Sequence, residues 1–397
     1  FDEGSLNDVI NSGTITVVGA QTIGGDFTNT GTVDGTTAGN DGISTAGIFT
    51  TSGDITSDAG GTFSITAGTI NLQSGATFNG TNDLDGSVAF DGAVHNSADL
   101  DVTGNIGLTG SLTNQATGVL DISAALDMGG NAINNTGASI TVEAGGSIVN
   151  GGALINQNSG QFSVDTGASA TVASANNTGA GSVMTVDGTL TAAGGVTNQS
   201  GGQLIVNSGG EVDGDVTNSA DLDLNGGTLG GLDNNTGGDV DVTGGGTVDT
   251  VVTNAGTLDI NTGTLTVTGN STTNESGGVL TIDNGATLAS NTINLSGGDL
   301  NVDGTLTGTL DNQSGGVTDI AATGDITGNV TNAGDLNING GSMNALDNNT
   351  GGDVDVTGGG TVDTVVTNAG TLDINTGTLT VTGNSTTNES GGVLTID

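Results

Sequence analysis

The chain has 397 residues with 43 Asp or Glu, one His, 77 Gly, and no Lys, Arg, Cys, Pro, Trp or Tyr. Lacking cations, it has nothing with which to neutralise phosphates, so nucleic acids and anionic membranes are excluded as partners. No apolar run approaches the ~20 residues that span a bilayer.

High net charge with few aromatics is also the composition of disorder. Here, though, aliphatic residues recur in phase as L-x-I or L-x-V pairs, a phasing that a disordered polyanion does not need. The Thr/Val/Ile alternation and the scarcity of Ala-Leu-Glu-Lys runs argue for strands over helices.

Along the chain the pattern tightens. In residues 1–95 it is loose: Asn11-SGTITV and Asn29-TGTVDG fit it, Phe63-SI and Ile70-NL fit in part, and Gly39–Thr51 is poorly phased. From there a marker Asn, a few small residues and an aliphatic-x-aliphatic pair recur at Asn96, Asn114, Asn135, Asn156 and Asn177. They continue at Asn198, Asn218, Asn235, Asn254, Asn274, Asn294, Asn312, Asn332, Asn349, Asn368 and Asn388, at spacings of 17 to 20 residues. The 52 residues Leu232–Asp283 return unchanged at Leu346–Asp397, 114 residues on, which is six marker steps. His95-NSADLDV resembles Thr217-NSADLDL a further six steps back. The expected organisation is therefore irregular coils over 1–95, a six-coil super-repeat over 96–217, a second over 218–331, and an incomplete third over 332–397. The first copy runs on after Asp283 whereas the second stops in mid-pattern, and the chain begins at Phe1. Both features suggest a processed product or a segment of something longer.

One unit shows the local physics. In Asn254-AGTLDINTGTLTVTG, Leu258 and Ile260 alternate with Asp259, and Leu265 and Val267 with Thr266, placing aliphatics on one face and polar residues on the other. Strands of three to five residues, separated by Gly, Asn and Ser turns, are too short for a sandwich. The expected fold is all-β: a parallel β-solenoid (right-handed β-helix) of about 19 residues per coil and roughly 20 coils. At about 4.8 Å per coil such a stack would form a rod of about 100 Å.

The N-x-G-x-L-x-I coils, above all VTNAGTLDINTGTLTVTG at Val252–Gly269 and Val366–Gly383, resemble the passenger regions of bacterial autotransporters and filamentous-haemagglutinin-type adhesins. The resemblance implies a secreted β-helical stalk serving adhesion, aggregation or biofilm formation. The lack of Lys and Arg departs from those families.

Three groups of residues are candidates for a role. The outward position of the marker strand runs through Asp101, Asp121, Thr141, Ser163, Thr185 and Ile205, then Asp223, Asp241, Asp259, Thr281, Asn301, Asp319, Asn337, Asp355, Asp373 and Thr395. Stacked in register, these carboxylates would repel one another with only solvent ions to compensate. Asp223, Asp239, Asp241, Asp259, Asp353, Asp355 and Asp373 thus become candidate Ca²⁺ ligands, beside the alternative of a solvated, salt-screened acidic face suited to a marine or halophilic setting. No cofactor is required. The marker Asn residues (Asn218, Asn235, Asn254, Asn274, Asn332, Asn349, Asn368 and Asn388 among them) suggest an internal amide ladder, beside ordinary turn-forming Asn facing water. His95, the one side chain suited to act as a base near neutral pH, has no catalytic partner type clustered with it.

A β-helical lyase would need a basic catalytic residue, which is absent. A carboxylate-pair glycosidase would be expected to have aromatics for sugar stacking, and there are only seven Phe. Identical blocks also argue against one unique site. The expected function is a non-catalytic, stiff acidic spacer in a large secreted adhesin or extracellular filament at the cell surface or in the matrix. Its partners would be other copies of itself or a host, abiotic or polysaccharide surface. The alternative is a ligand-binding module whose flat Thr/Asp/Asn face recognises a polysaccharide, ice or another surface.

Overall fold

A computed structural model of the protein describes residues 118–397 apart from 270 and 384. Before residue 118 it describes 8–18, 20–23, 25–30, 32–35, 40–45, 48–51, 55–57, 62–72, 78–80, 87–96, 99–102 and 105–115. The fold is an all-β, right-handed parallel β-solenoid. It forms two compact units, Phe1–Leu204 with Gly210–Gly214, and Ile205–Gly209 with Asp215–Asp397.

In the second unit a coil is built of a ladder, a marker and a third strand, the third running straight into the next ladder strand in Thr228–Asn234, Asp325–Asn332 and Ser342–Asn348, and one coil shows the plan. The ladder strand Val252–Asn254 leads through Ala255 and Gly256 into the marker strand Thr257–Ile260, and a bend over 261–263 leads into the third strand Thr264–Val267. The chain then reaches the next ladder strand, Thr272–Asn274. Each strand pairs in parallel with its counterpart one coil on: Asn254 with Asn274, Leu258 with Leu280, Leu265 with Leu288. Because side chains alternate across a strand, this register stacks like on like. Leu222, Val240, Leu258, Leu280 and Leu300 form one fully buried column, and Leu224, Val242, Ile260, Ile282 and Val302 form the next. Burying a Leu or Val side chain contributes roughly 1.5–3 kcal/mol, so each coil gains its core from the coils above and below it.

The first unit follows the same plan, with two differences from the sequence expectation. Some third strands run straight into the following ladder strand, giving Ser147–Gln157 and Ser169–Thr178 in place of strands of three to five residues. The poorly phased stretch before Thr51 is also in register. Ile48–Thr51 pairs with Phe27–Asn29, so Phe49 lies against Phe27 with ring centroids 5.0 Å apart and Thr51 occupies the position of the marker Asn. The phase is hidden there because a hydroxyl replaces the amide.

Candidate functional site

The ladder strand ends inside the coil. In the second unit Asn218, Asn234, Asn254, Asn274, Asn294, Asn312, Asn332 and Asn348 are fully buried, and Asn368 nearly so. Each Nδ2 donates to the Oδ1 of the next rung at 2.7–3.0 Å, in an unbroken line from Asn218 to Asn388. Every Nδ2 also donates to a backbone carbonyl that opens the next marker strand, as Asn234 does to Thr257 (2.7 Å) and Asn254 to Val279 (2.9 Å). Only an NH₂ can fill that second role, so all the amides point the same way. In the first unit the line runs from Asn96 through Asn114, Asn135, Asn156 and Asn177 to Asn198, with Asn11 donating to Asn29 and Asn29 to the Thr51 hydroxyl further upstream. Each amide satisfies polar groups that would otherwise be stranded at the corner where the chain turns over the core.

Two rungs differ from the sequence expectation. Asn235 and Asn349 do not face inward; Asn234 and Asn348 do. Strand pairing sets Leu232, Asp233 and Asn234 against Val252, Thr253 and Asn254, so alternation carries Asn235 off the inner face. The signal that separates neighbours is the glycine four residues on. A Cβ at Gly238 would lie 2.3 Å from Asn234 Oδ1, and one at Gly352 would lie 2.4 Å from Asn348 Oδ1. The same Asn-x-x-x-Gly relation holds for Asn274 with Gly278 and for Asn312 with Gly316. The working motif is therefore Asn-x-x-Gly-Gly, in which the first Gly takes a positive φ, 86° at Gly237, and the second leaves room for the amide.

The marker strands place the acidic residues outside. Asp223 pairs with Asp241 and Asp241 with Asp259; Asp355 pairs with Asp373. In the adjacent column Asp221 pairs with Asp239, and Asp335 with Asp353. Carboxylate oxygens of Asp221, Asp223 and Asp241 lie within 4.8 Å of one another. Asp221 was not among the sequence candidates, though the Asp-x-Asp spacing, which puts both carboxylates on one face, would have revealed it. The corresponding place in the later copy holds Asp335, Asn337 and Asp355, one carboxylate fewer. Asp239, Asp259, Asp353, Asp355 and Asp373 lie outside the three-carboxylate group.

The crowding has electrostatic consequences. Burial first, then the charges of Asp223, Asp239 and Asp241, push the Asp221 carboxyl above its ordinary value. Burial is also the main cause at Asp259, where a hydrogen bond from Thr281 opposes the rise and Asp241, Asp239 and Asp283 add to it. Asp353 rises through burial and then Asp355, Asp335 and Asp373, against a backbone hydrogen bond from Val354. Neutral donors supply part of what cations cannot. Asn261, Asn337 and Asn375 donate to Asp241, Asp319 and Asp355 at 2.8, 2.6 and 2.9 Å. Asp373 Oδ1 is buried without a partner.

His95 points outward from its ladder strand, half-buried, in register with Asn71 and Thr113. Among the described residues no helix is long and apolar enough to cross a membrane.

No family model and no curated protein sequence matches the chain. Among solved structures it is similar to a hyper-glycosylated TibA55–350 fragment, glycosylated by TibC. That likeness covers 94% of this chain and 100% of the other, at 18% identity and a TM-score of 0.32.

Proposed function

We propose that the chain is a non-catalytic structural segment of a secreted bacterial surface adhesin or extracellular filament, acting as a stiff, acidic spacer in adhesion, aggregation or a biofilm matrix. The observation that carries this reading is the uninterrupted amide ladder of the second unit, which treats every coil alike and singles out none as a reaction centre. The duplicated block agrees, since copying it adds length and no new chemistry. The outward marker column favours a spacer over a surface-recognition module, because Thr281, Asn301 and Asn337 break the acidic run and no uniform array forms. Electron micrographs of chains with six coils added or deleted test the reading. Slender particles that change length by about 4.8 Å per coil support it; compact particles of unchanged length sink it.

Ca²⁺ is the ion whose oxygen preference fits Asp221, Asp223 and Asp241, and its part in this reading is to relieve repulsion along the acidic columns and to bridge neighbouring copies. A thermal midpoint raised by Ca²⁺ at constant ionic strength, and not raised in the D223N/D241N variant, supports that part. An equal response to Na⁺ at the same ionic strength leaves only a salt-screened acidic face.

A further inference from the structure

The core of the second unit is aliphatic on the ladder strands except at one place. The inward position two residues before each rung from Asn218 to Asn368 is Val216, Leu232, Val252, Leu310, Val330, Leu346 or Val366, all buried, but in two successive coils it is Thr272 and Thr292. Ser290 is buried beside them. Thr272 Oγ1 donates to Ser290 Oγ at 2.9 Å, and Ser290 Oγ donates to the Asn291 carbonyl at 3.0 Å. Thr292 Oγ1 is buried with no partner, in a side chain only 1% exposed. A buried hydroxyl without a partner has lost its water and gained nothing in return, so its coil gains on opening what its neighbours lose. In a stack where each coil is held by its neighbours alone, such a defect localises opening to its own interface.

We propose that the Thr272–Ser290–Thr292 cluster is a built-in soft joint, the interior place where the second unit's stack opens first under load or mild denaturant. The backbone bonds that close the two interfaces of the Thr292 coil are known: on one side the Thr272 amide donates to the Asn291 carbonyl, and on the other the Ser290 and Thr292 amides donate to the carbonyls of Thr307 and Thr309. The amide of Leu232, which donates to the Val251 carbonyl, closes an equivalent interface between two aliphatic coils and serves as the internal reference. Thr272 lies inside the duplicated block, and its copy is Thr386, so copying the block copies this half of the joint.

Native-state hydrogen exchange on the full chain, in urea well below the unfolding midpoint, tests the joint. The Thr272, Ser290 and Thr292 amides are expected to exchange ahead of that of Leu232. Thr292→Val, which keeps the shape and removes the hydroxyl, should slow their exchange by about 5- to 150-fold, the range set by one stranded hydroxyl. T272V/T292V should bring them level with the aliphatic coils. Equal exchange in the unmodified chain overturns the proposal. So does a T292V variant whose exchange is unchanged or faster, the result expected if a trapped water already satisfies Thr292.

Discussion

Adjacent identical residues with opposite surroundings give the sharpest test of the ladder. Asn234 is fully buried; it accepts from Asn218 at 2.9 Å and donates to Asn254 Oδ1 at 2.8 Å and the Thr257 carbonyl at 2.7 Å. Asn235, one position on, is half-buried in the turn, where its backbone N–H donates to the Asn218 carbonyl and survives truncation of the side chain. Asn234→Ala therefore strands a donor on Asn218 and acceptors on Asn254 and Thr257. At about 1 kcal/mol or more for each group left buried without its partner, the loss is about 3–5 kcal/mol. Asn235→Ala removes none of these bonds and should cost under about 1 kcal/mol, the range of substitutions that touch no buried polar contact. Urea unfolding of both variants at equal slope measures the difference. Equal losses, or a loss below about 1 kcal/mol for Asn234→Ala, would refute the view that the amides and not the turns hold this corner.

Asn234→Asp should be worse than Asn234→Ala, since a carboxylate cannot donate to Asn254 or Thr257 and in a dry corner must either stay unsolvated or take up a proton at a cost to folding; urea midpoints rank the two. Gly238→Ala forces a methyl against the Asn234 amide at 2.3 Å, whereas a Cβ at Gly237 meets nothing within 4 Å and its cost is backbone strain alone, so circular dichroism melts should place G238A below G237A. The pH dependence follows from the raised carboxyls of Asp221, Asp259, Asp299 and Asp353. Folding raises each above the ordinary 3.8, so their ionised forms subtract stability at neutral pH, and that loss disappears as pH falls through the folded values toward 3.8. Thermal midpoints should therefore climb on mild acidification, and Asp259→Asn should raise the midpoint at pH 7 while flattening the climb; a midpoint that falls steadily from pH 7 to 5 contradicts this.

Most of the fold was legible because a solenoid repeats its instructions. Leu258 and Ile260 alone are ambiguous, but such a pair a few residues after an Asn, coil after coil, leaves only parallel stacking. The side-by-side acids were legible for the same reason, as register follows from repetition: Asp223, Asp241 and Asp259 do stand in one column. What repetition hides is the detail that differs between coils. The Asn-Asn pairs at 234 and 348 offer two candidates for one rung, and the choice turns on a glycine four residues away that acts through space and not through the strand. Asp221 joins Asp223 and Asp241 only through contact between neighbouring columns. Thr292 looks like any other Thr of the chain until its strand partner shows that it faces the core.

The two unequal steps of the second unit show what the chain holds constant. Asn218 and Asn234 are 16 residues apart and Asn234 and Asn254 are 20, yet the amide bonds that join them are 2.9 and 2.8 Å. The shorter step has two residues between rung and marker strand, 219–220, where the longer has four, 235–238, and its Thr228–Asn234 runs from third strand to ladder strand without the break that separates Gly246–Val248 from Val252–Asn254. Residues are thus gained or lost in the turn after the rung and between the third and ladder strands, where the backbone can go straight or loop out, while the ladder and marker strands keep their pairing. The invariant is the inward amide over a closed turn, and the 19-residue period is only its average. Coils of different length therefore stack without disturbing their neighbours, which is the property a structural spacer needs if its length is to change by duplication.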